Sequence, residues 1–444
     1  MINFGKRIEP MTDRYLIESM DGCAFMANPP EKEAEAIRFD KPWERAGSTT
    51  VTAFDENGTV KLYYRGFPEE VANDGKGDFD ERQAACLAES TDGIHFERIP
   101  VNEIDYFGSR ENNIVEIGRH CHNFAPFLDT NPDCRPDEKY KAISGMFKEG
   151  IRTWASPDGI HWHPLSDGYV ITRGYFDTFN IAFYDSYAKK YRCYSRDFAN
   201  GIRVIQSSES EDFVHWSEPV HNIYPGLGEI TEHLYTNATT PIPGAEHMLL
   251  SMPMRFHETR KLPVGNVWPF PGLSDMVMMT SRDGVHWDRT IREPWIYPSL
   301  DPREWTQRGF IASSGIIERG DKFLFYIQRH YMWDDCGIWV YSIPRYRFMS
   351  VGAGWNGGRI VTKELAFETD TVHLNYQTSV YGSIRVKALN AEGQIVGDSG
   401  EIFGNELSRP VTLAGIAGTC GRLVIELCDA KLYAIGGAMR KETV

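Results

Sequence analysis

The 444-residue sequence contains no Cys-x-x-Cys pair. Its eight cysteines (Cys23, Cys86, Cys121, Cys134, Cys193, Cys336, Cys420 and Cys428) are scattered, so a structural zinc is not expected and reduced thiols are. No run of 18 apolar residues occurs, so no helix is expected to span a membrane. The first residues, MINFGKRIEPMTDRYLIESM, lack the apolar core of a secretory leader. That points to a cytoplasmic protein, or to a secreted one had a leader been removed. Basic residues are in deficit, 47 against 62 acidic, for a net charge of −15. Nucleic acid and anionic membrane are therefore not expected partners. No long helical period is visible either, which leaves strands.

What the chain does have is aromatics, at 13%, with 11 Trp and 21 Tyr. They suit β-rich cores, and they suit sugar binding through ring stacking. A short motif recurs: STDGIHF at 90–96, SPDGIHW at 156–162 and SRDGVHW at 281–287. SESEDFVHW, ending at Trp216, keeps the Asp, His and Trp at the same offsets. Asp92, Asp158, Asp212 and Asp283 are spaced by 66, 54 and 71 residues, and a fifth, eroded copy ends at Phe348. Each unit of roughly 60 residues reads as four short β-branched and aromatic runs separated by polar turns. The expectation is all-β, a five-bladed β-propeller followed by a C-terminal β-sandwich. The propeller is assigned to residues 1–350, with the N-terminal segment closing the ring and RYLIESM (14–20) as the candidate stretch within it, and the sandwich to 351–444.

Antiparallel strands order the faces. With strands A to D running from axis to rim, the starts of A and the ends of B share one face. The C–D hairpins, where Asp-Gly makes a tight turn, lie on the other. The recurring His is then part of a scaffold turn, and chemistry is expected around the axis. Polar residues stand before each A strand: Trp43 and Glu44, His122 and Asn123, Asp177 and Asn180, Glu229, Glu232, His233, Tyr235 and Asn237, and Trp305 and Arg308. The B strands end at Arg65, Arg196, Arg255 and Arg329. Insertions at 67–82 and 257–272 fall on the same face, the second carrying Trp268 and Phe270 as stacking candidates.

This combination of propeller, axial carboxylates, S-x-D-G-x-H-W hairpins and sandwich resembles glycoside hydrolases of families 32, 43 and 68. The stretches FDKPWERAGSTTVTAFDENGTVKLYYRG, SRENNIV, HNFAPFLDTNPD and EHLYTNATTP resemble an uncharacterised bacterial glycosyl-hydrolase-like group. The family 32 pattern has Asp in blade one, Arg-Asp-Pro in blade two and Glu-Cys in blade three. At those places this chain has Glu44, His122-Asn123 and Asp177, and blade four adds Glu232-His233.

The resemblance implies glycosidic bond cleavage by two carboxylates. Glu44 and Asp177 are the expected pair, with Glu232 a rival or a tuner of their acidity. Trp43, Arg65, His122, Asn123, Asn180, Arg196, His233, Arg255, Trp268, Arg308 and Arg329 are the expected substrate contacts. Two other readings stand beside hydrolysis. One is a glycoside phosphorylase or transglycosylase with an anion-binding pocket, similar to family 130. The other is a non-catalytic carbohydrate-binding propeller. No cofactor is expected; an axial Ca²⁺ or other ion near His122 and assembly into a homo-oligomer stay open.

Overall fold

The computed structural model describes residues 2–436 apart from 4, 6, 46, 69–80, 229 and 262–270. Among these residues there are strands and short 3-10 turns and no α-helix. Five antiparallel blades follow one another. Blade 1 is built on Thr49–Glu56, Thr59–Gly66 and Ala84–Ser90. Its rim is split between Glu97–Arg98 and Ile114–Ile117, which both pair with the third strand. Blade 2 comprises Phe124–Leu128, Tyr140–Met146, Gly150–Ser156 and His163–Pro164. Blade 3 comprises Ile181–Asp185, Lys190–Ala199, Ile202–Ser210 and Val220–His221.

Blade 4 is interrupted. A three-stranded upper part (His233–Leu234, Met254–His257, Leu273–Met276) continues into a four-stranded lower part that begins at Thr240–Ile242. The break coincides with Ala238 at φ 45° and with Pro253, which has no N–H for a ladder. The Met254 N–H is taken up instead by the Thr236 hydroxyl at 3.0 Å.

Blade 5 pairs Phe310–Ala312, Lys322–Arg329 and Gly337–Pro344 with a rim strand from the N-terminal region, Glu31–Arg38. The ring is thus closed by 31–38 and not by RYLIESM. Ile17–Asp21, which contains the end of that stretch, pairs with Gly358–Thr362 in the second domain. Ile8–Pro10 and Ala24–Ala27 join the same sheet. The sandwich therefore draws on both ends of the chain, so the division at residue 350 does not hold for Ile8–Pro10, Ile17–Asp21 and Ala24–Ala27. The reason is edge pairing: the long strand Cys420–Gly436 offers N–H and C=O groups that Ile8–Pro10 satisfies. Glu9, fully buried, meets Arg282 of blade 4 at 2.9 Å and ties the two domains together.

The recurring motif is a scaffold turn. In blade 2 the Asp158 carboxylate accepts the N–H groups of Ile160 and His161, both at 2.9 Å, and pairs with His161 Nδ1 at 2.6 Å. The copies at Asp92, Asp212 and Asp283 repeat these contacts. The His95 ring and then the backbone N–H groups hold the Asp92 carboxyl well below its usual range.

The turn glycine latches neighbouring blades. Tyr63 of blade 1 donates to the Gly159 carbonyl of blade 2 at 2.9 Å, Tyr194 of blade 3 to Gly284 at 3.0 Å, and Tyr326 of blade 5 to Gly93 at 2.9 Å. Positive φ at all three glycines permits the turn. Blade 3 has Phe213 there, at φ 68°, and its ring fills the gap against Phe127 and Tyr191.

Candidate active site on the propeller axis

At the face opposite these turns, all five blades contribute to one pocket. Its lining includes Thr49 and Arg65 from blade 1, His122 and Asn123 from blade 2, and Asp177 from blade 3. Tyr235 comes from blade 4 and Arg308 from blade 5. The cavity between them is about 30 Å³, the room of one water or one carboxylate.

Arg65 donates to the Gly47 carbonyl at 2.8 Å and to the His122 ring. An arginine cannot accept, so the facing His122 nitrogen must. The tautomer that satisfies both neighbours has Nδ1–H donating to Gln83 Oε1 at 2.7 Å, with Nε2 accepting from Arg65 at 3.1 Å. Asn123 is buried, and its Nδ2 has no hydrogen-bond partner among the described residues. Asp177 is held by the Arg196 guanidinium.

Tyr235 is the centre of a cationic cluster. The guanidiniums of Arg196, Arg203 and Arg308 lie 5.0, 5.3 and 5.6 Å from its ring centroid, and Arg308 donates to its hydroxyl at 3.2 Å. Burial alone would raise the phenol pKa. The charges of Arg308, Arg196 and Arg203 outweigh burial and the opposing Asp177, and the net shift is downward.

Glu44 and Glu232 do not share this pocket. Glu44 is fully buried and accepts from the Tyr64 hydroxyl at 2.6 Å, Arg98 Nε at 2.8 Å and Arg98 Nη2 at 2.7 Å. It is a strut between the segment entering blade 1 and that blade's rim strand. Trp43 beside it donates to Asn113 Oδ1 at 2.9 Å.

Glu232 lines a second, larger pocket of about 530 Å³ over blade 4, together with His233, Arg255, Tyr297 and Trp305. Burial would raise the Glu232 pKa, but Arg289 and Arg255 pull it below the usual value. Arg255 also clamps Asp275, with Nη2 at 2.6 Å. The Arg203 backbone N–H donates to His233 Nδ1 at 3.2 Å. Burial, then Arg203, lowers the His233 pKa.

Asn180 is fully buried and spends its Nδ2 on the Phe176 and Thr178 carbonyls, shaping the loop that carries Asp177. Arg329 is buried against Glu304. Glu229, Trp268 and Phe270 lie outside the described residues. Among the described residues no group of three or more His, Cys, Asp and Glu side chains is placed to hold a metal ion.

Sequence reasoning missed Arg203 altogether and named Tyr235 without giving it a role. Arg203 is the second residue of a C strand, Ile202–Ser210, away from the A starts and B ends where the site is expected. Tyr235 stands among the residues expected before the A strand of blade 4, and that position was its only signal.

No protein-family model and no curated protein matches the sequence. Solved structures do. One titled a glycoside hydrolase is 11% identical with a TM-score of 0.47, covering 71% of this chain and 92% of its own. An N-acetylgalactosamine deacetylase from F. plautii, in complex with blood group B trisaccharide, is 15% identical with a TM-score of 0.42, covering 72% and 94%. A family 43 arabinoxylan arabinofuranohydrolase from Bacillus subtilis, in complex with cellotetraose, is 11% identical with a TM-score of 0.40, covering 90% and 97%. At these identities the likeness concerns the fold alone.

Proposed function

We propose that the protein is a glycosidase acting at the axial pocket on a glycan whose reacting sugar carries an oxyanion, a carboxylate or a sulfate. One observation carries this reading. The pocket is lined by two guanidiniums, Arg65 and Arg308, and by Asn123, whose buried Nδ2 has no partner among the described residues. Guanidiniums with an amide donor match an oxyanion in charge and in hydrogen-bond geometry.

Asp177, paired with the Arg196 guanidinium, suits the role of base. It takes a proton from the water that attacks the anomeric carbon. The leaving oxygen needs a proton in the same step, and Tyr235 is the candidate donor. Its phenolate is stabilised by the three guanidiniums that already depress its pKa. The proton taken by Asp177 returns to Tyr235 through solvent after product leaves. Glu44 has no part in this scheme.

The test is turnover of aryl glycosides of uronic acids, sulfated sugars and neutral sugars by wild type and Asp177→Asn. Cleavage confined to anionic sugars and lost in the variant supports the reading. Equal cleavage of neutral sugars, or activity untouched by the substitution, removes it. Phosphorolysis is the second reading, favoured because Asp177 is the one carboxylate lining the pocket among the described residues. Phosphate would replace water as the attacking group, and turnover that requires added inorganic phosphate would select it.

A further inference from the structure

The two long strands of the sandwich, Thr371–Leu389 and Cys420–Gly436, part company in the middle. Thr378 lies opposite Ala430, and pairing resumes at Ser383 opposite Cys428. Residues 379–382 thus face Asp429 alone and form a bulge. The bulge is fastened on both sides. The Thr378 N–H donates to the Gly404 carbonyl at 2.8 Å, and the Asp429 N–H to the Gly354 carbonyl at 3.1 Å. Gly382 is required there, because a Cβ would come within 2.3 Å of the Asp429 carbonyl oxygen.

This bulge, hydrogen-bonded on both sides, holds apolar side chains out in water. Val380 is 94% and Tyr381 83% exposed, and Trp355, in the adjacent turn, is 68% exposed. The Trp355 and Tyr381 rings stand edge to face, 6.2 Å apart at 72°. Large aromatics displayed on a fixed backbone mark a recognition surface. Beside them runs a groove of about 490 Å³, within the size range of ligand sites, whose lining includes Gln377, Asp429 and Lys431. Neither Asp429 nor Lys431 makes an ion pair among the described residues.

We infer that this bulge and groove form a second carbohydrate site, which takes a pyranose ring of a polysaccharide against Trp355 and Tyr381. The lining chooses between occupants. An apolar protein segment would bury Asp429 and Lys431 without partners, at a cost. A sugar ring offers an apolar C–H face to the aromatics and hydroxyls that both donate to Asp429 and accept from Lys431. The site needs no turnover at the axial pocket. Its role is to keep the enzyme on a polymer.

Affinity electrophoresis of the full chain in gels containing xylan or polygalacturonan tests this. The expected result is retardation by one of the two polymers. It persists in Asp177→Asn, and it is lost in the double variant Trp355→Ala/Tyr381→Ala with an apparent Kd at least about tenfold higher. Lys431→Ala weakens it several-fold. Both aromatics are exposed, so the double variant should fold, and unchanged turnover of a small aryl glycoside checks that the propeller is intact. Free migration of the wild type in both gels overturns the inference, as does retardation that survives the double substitution. So does light scattering that shows the double substitution dissolving a homodimer while retardation stays. Absence of aryl glycoside cleavage in the wild type would count against the axial reading and leave the retardation result to be judged by itself.

Discussion

Blade 1 and blade 3 each place a carboxylate just before their first strand, Glu44 ahead of Thr49 and Asp177 ahead of Ile181. The two meet opposite fates. Glu44 is sealed from solvent, with Tyr64, Arg98 and the Lys41 N–H on its oxygens. Asp177 faces the axis with the Arg196 guanidinium behind it. The difference is where the cation comes from. Arg98 is a rim residue and draws its carboxylate outward under the blade. Arg196 lies within the second strand of blade 3, Lys190–Ala199, and holds its carboxylate at the pocket. A charged residue at a strand start is thus a strut or a reagent according to its partner.

Substitution of the two carboxylates should separate these roles most sharply. Asp177→Asn is expected to lower turnover by about 10²–10⁴-fold with little change in the urea unfolding midpoint. Glu44→Ala should do the reverse. It leaves the Arg98 guanidinium without its buried partner, and unfolding titrations should show a loss of about 3–5 kcal/mol. If Glu44→Ala instead keeps its stability and loses its activity, the contrast between the blades collapses.

A smaller effect is expected at the pocket's cations. Arg308→Gln should raise KM for an anionic glycoside by about 10–100-fold, the worth of a charge-assisted hydrogen bond, and leave a neutral analogue unaffected. Equal losses on both substrates would assign Arg308 to holding Tyr235 and not the substrate.

The smallest effects belong to the opposite face. Asp158→Ala removes the acceptor of two backbone N–H groups in an exposed turn and should cost about 1 kcal/mol, with turnover unchanged. The same turns set an acid limit. The Asp92, Asp158, Asp212 and Asp283 carboxyls are all held below the usual value in the fold. Near pH 4 the unfolded chain therefore binds protons that the folded chain does not. Their stabilisation is full above the ordinary aspartate pKa and is lost as pH falls below it. Chemical denaturation between pH 6 and 3 should show this slope, flattened in a variant with Asn at all four positions.

The blades were legible because local rules write them. Asp-Gly turns with a following aromatic recur at blade spacing, and period-two runs mark the strands between. Those features fixed the count of five, the following sandwich and the assignment of the turn histidines to the scaffold. Closure by the N-terminal segment was legible, but not that Glu31–Arg38 does it or that Ile8–Pro10 and Ile17–Asp21 join the sandwich, since edge pairing depends on which edge is left open.

The site divides the same way. Sequence order alone put Arg65, His122, Asn123, Asp177 and Arg308 near strand ends on one face, because antiparallel alternation dictates that face. Only the tertiary structure decided that Glu44 turns away to Arg98, that Glu232 belongs to another pocket with Arg289, and that Arg203 packs over the ring of Tyr235, which lines the axial pocket. Charge partners far apart in the sequence made those choices. A linear pattern cannot name a partner 50 residues away, but the fold brings it within a hydrogen bond.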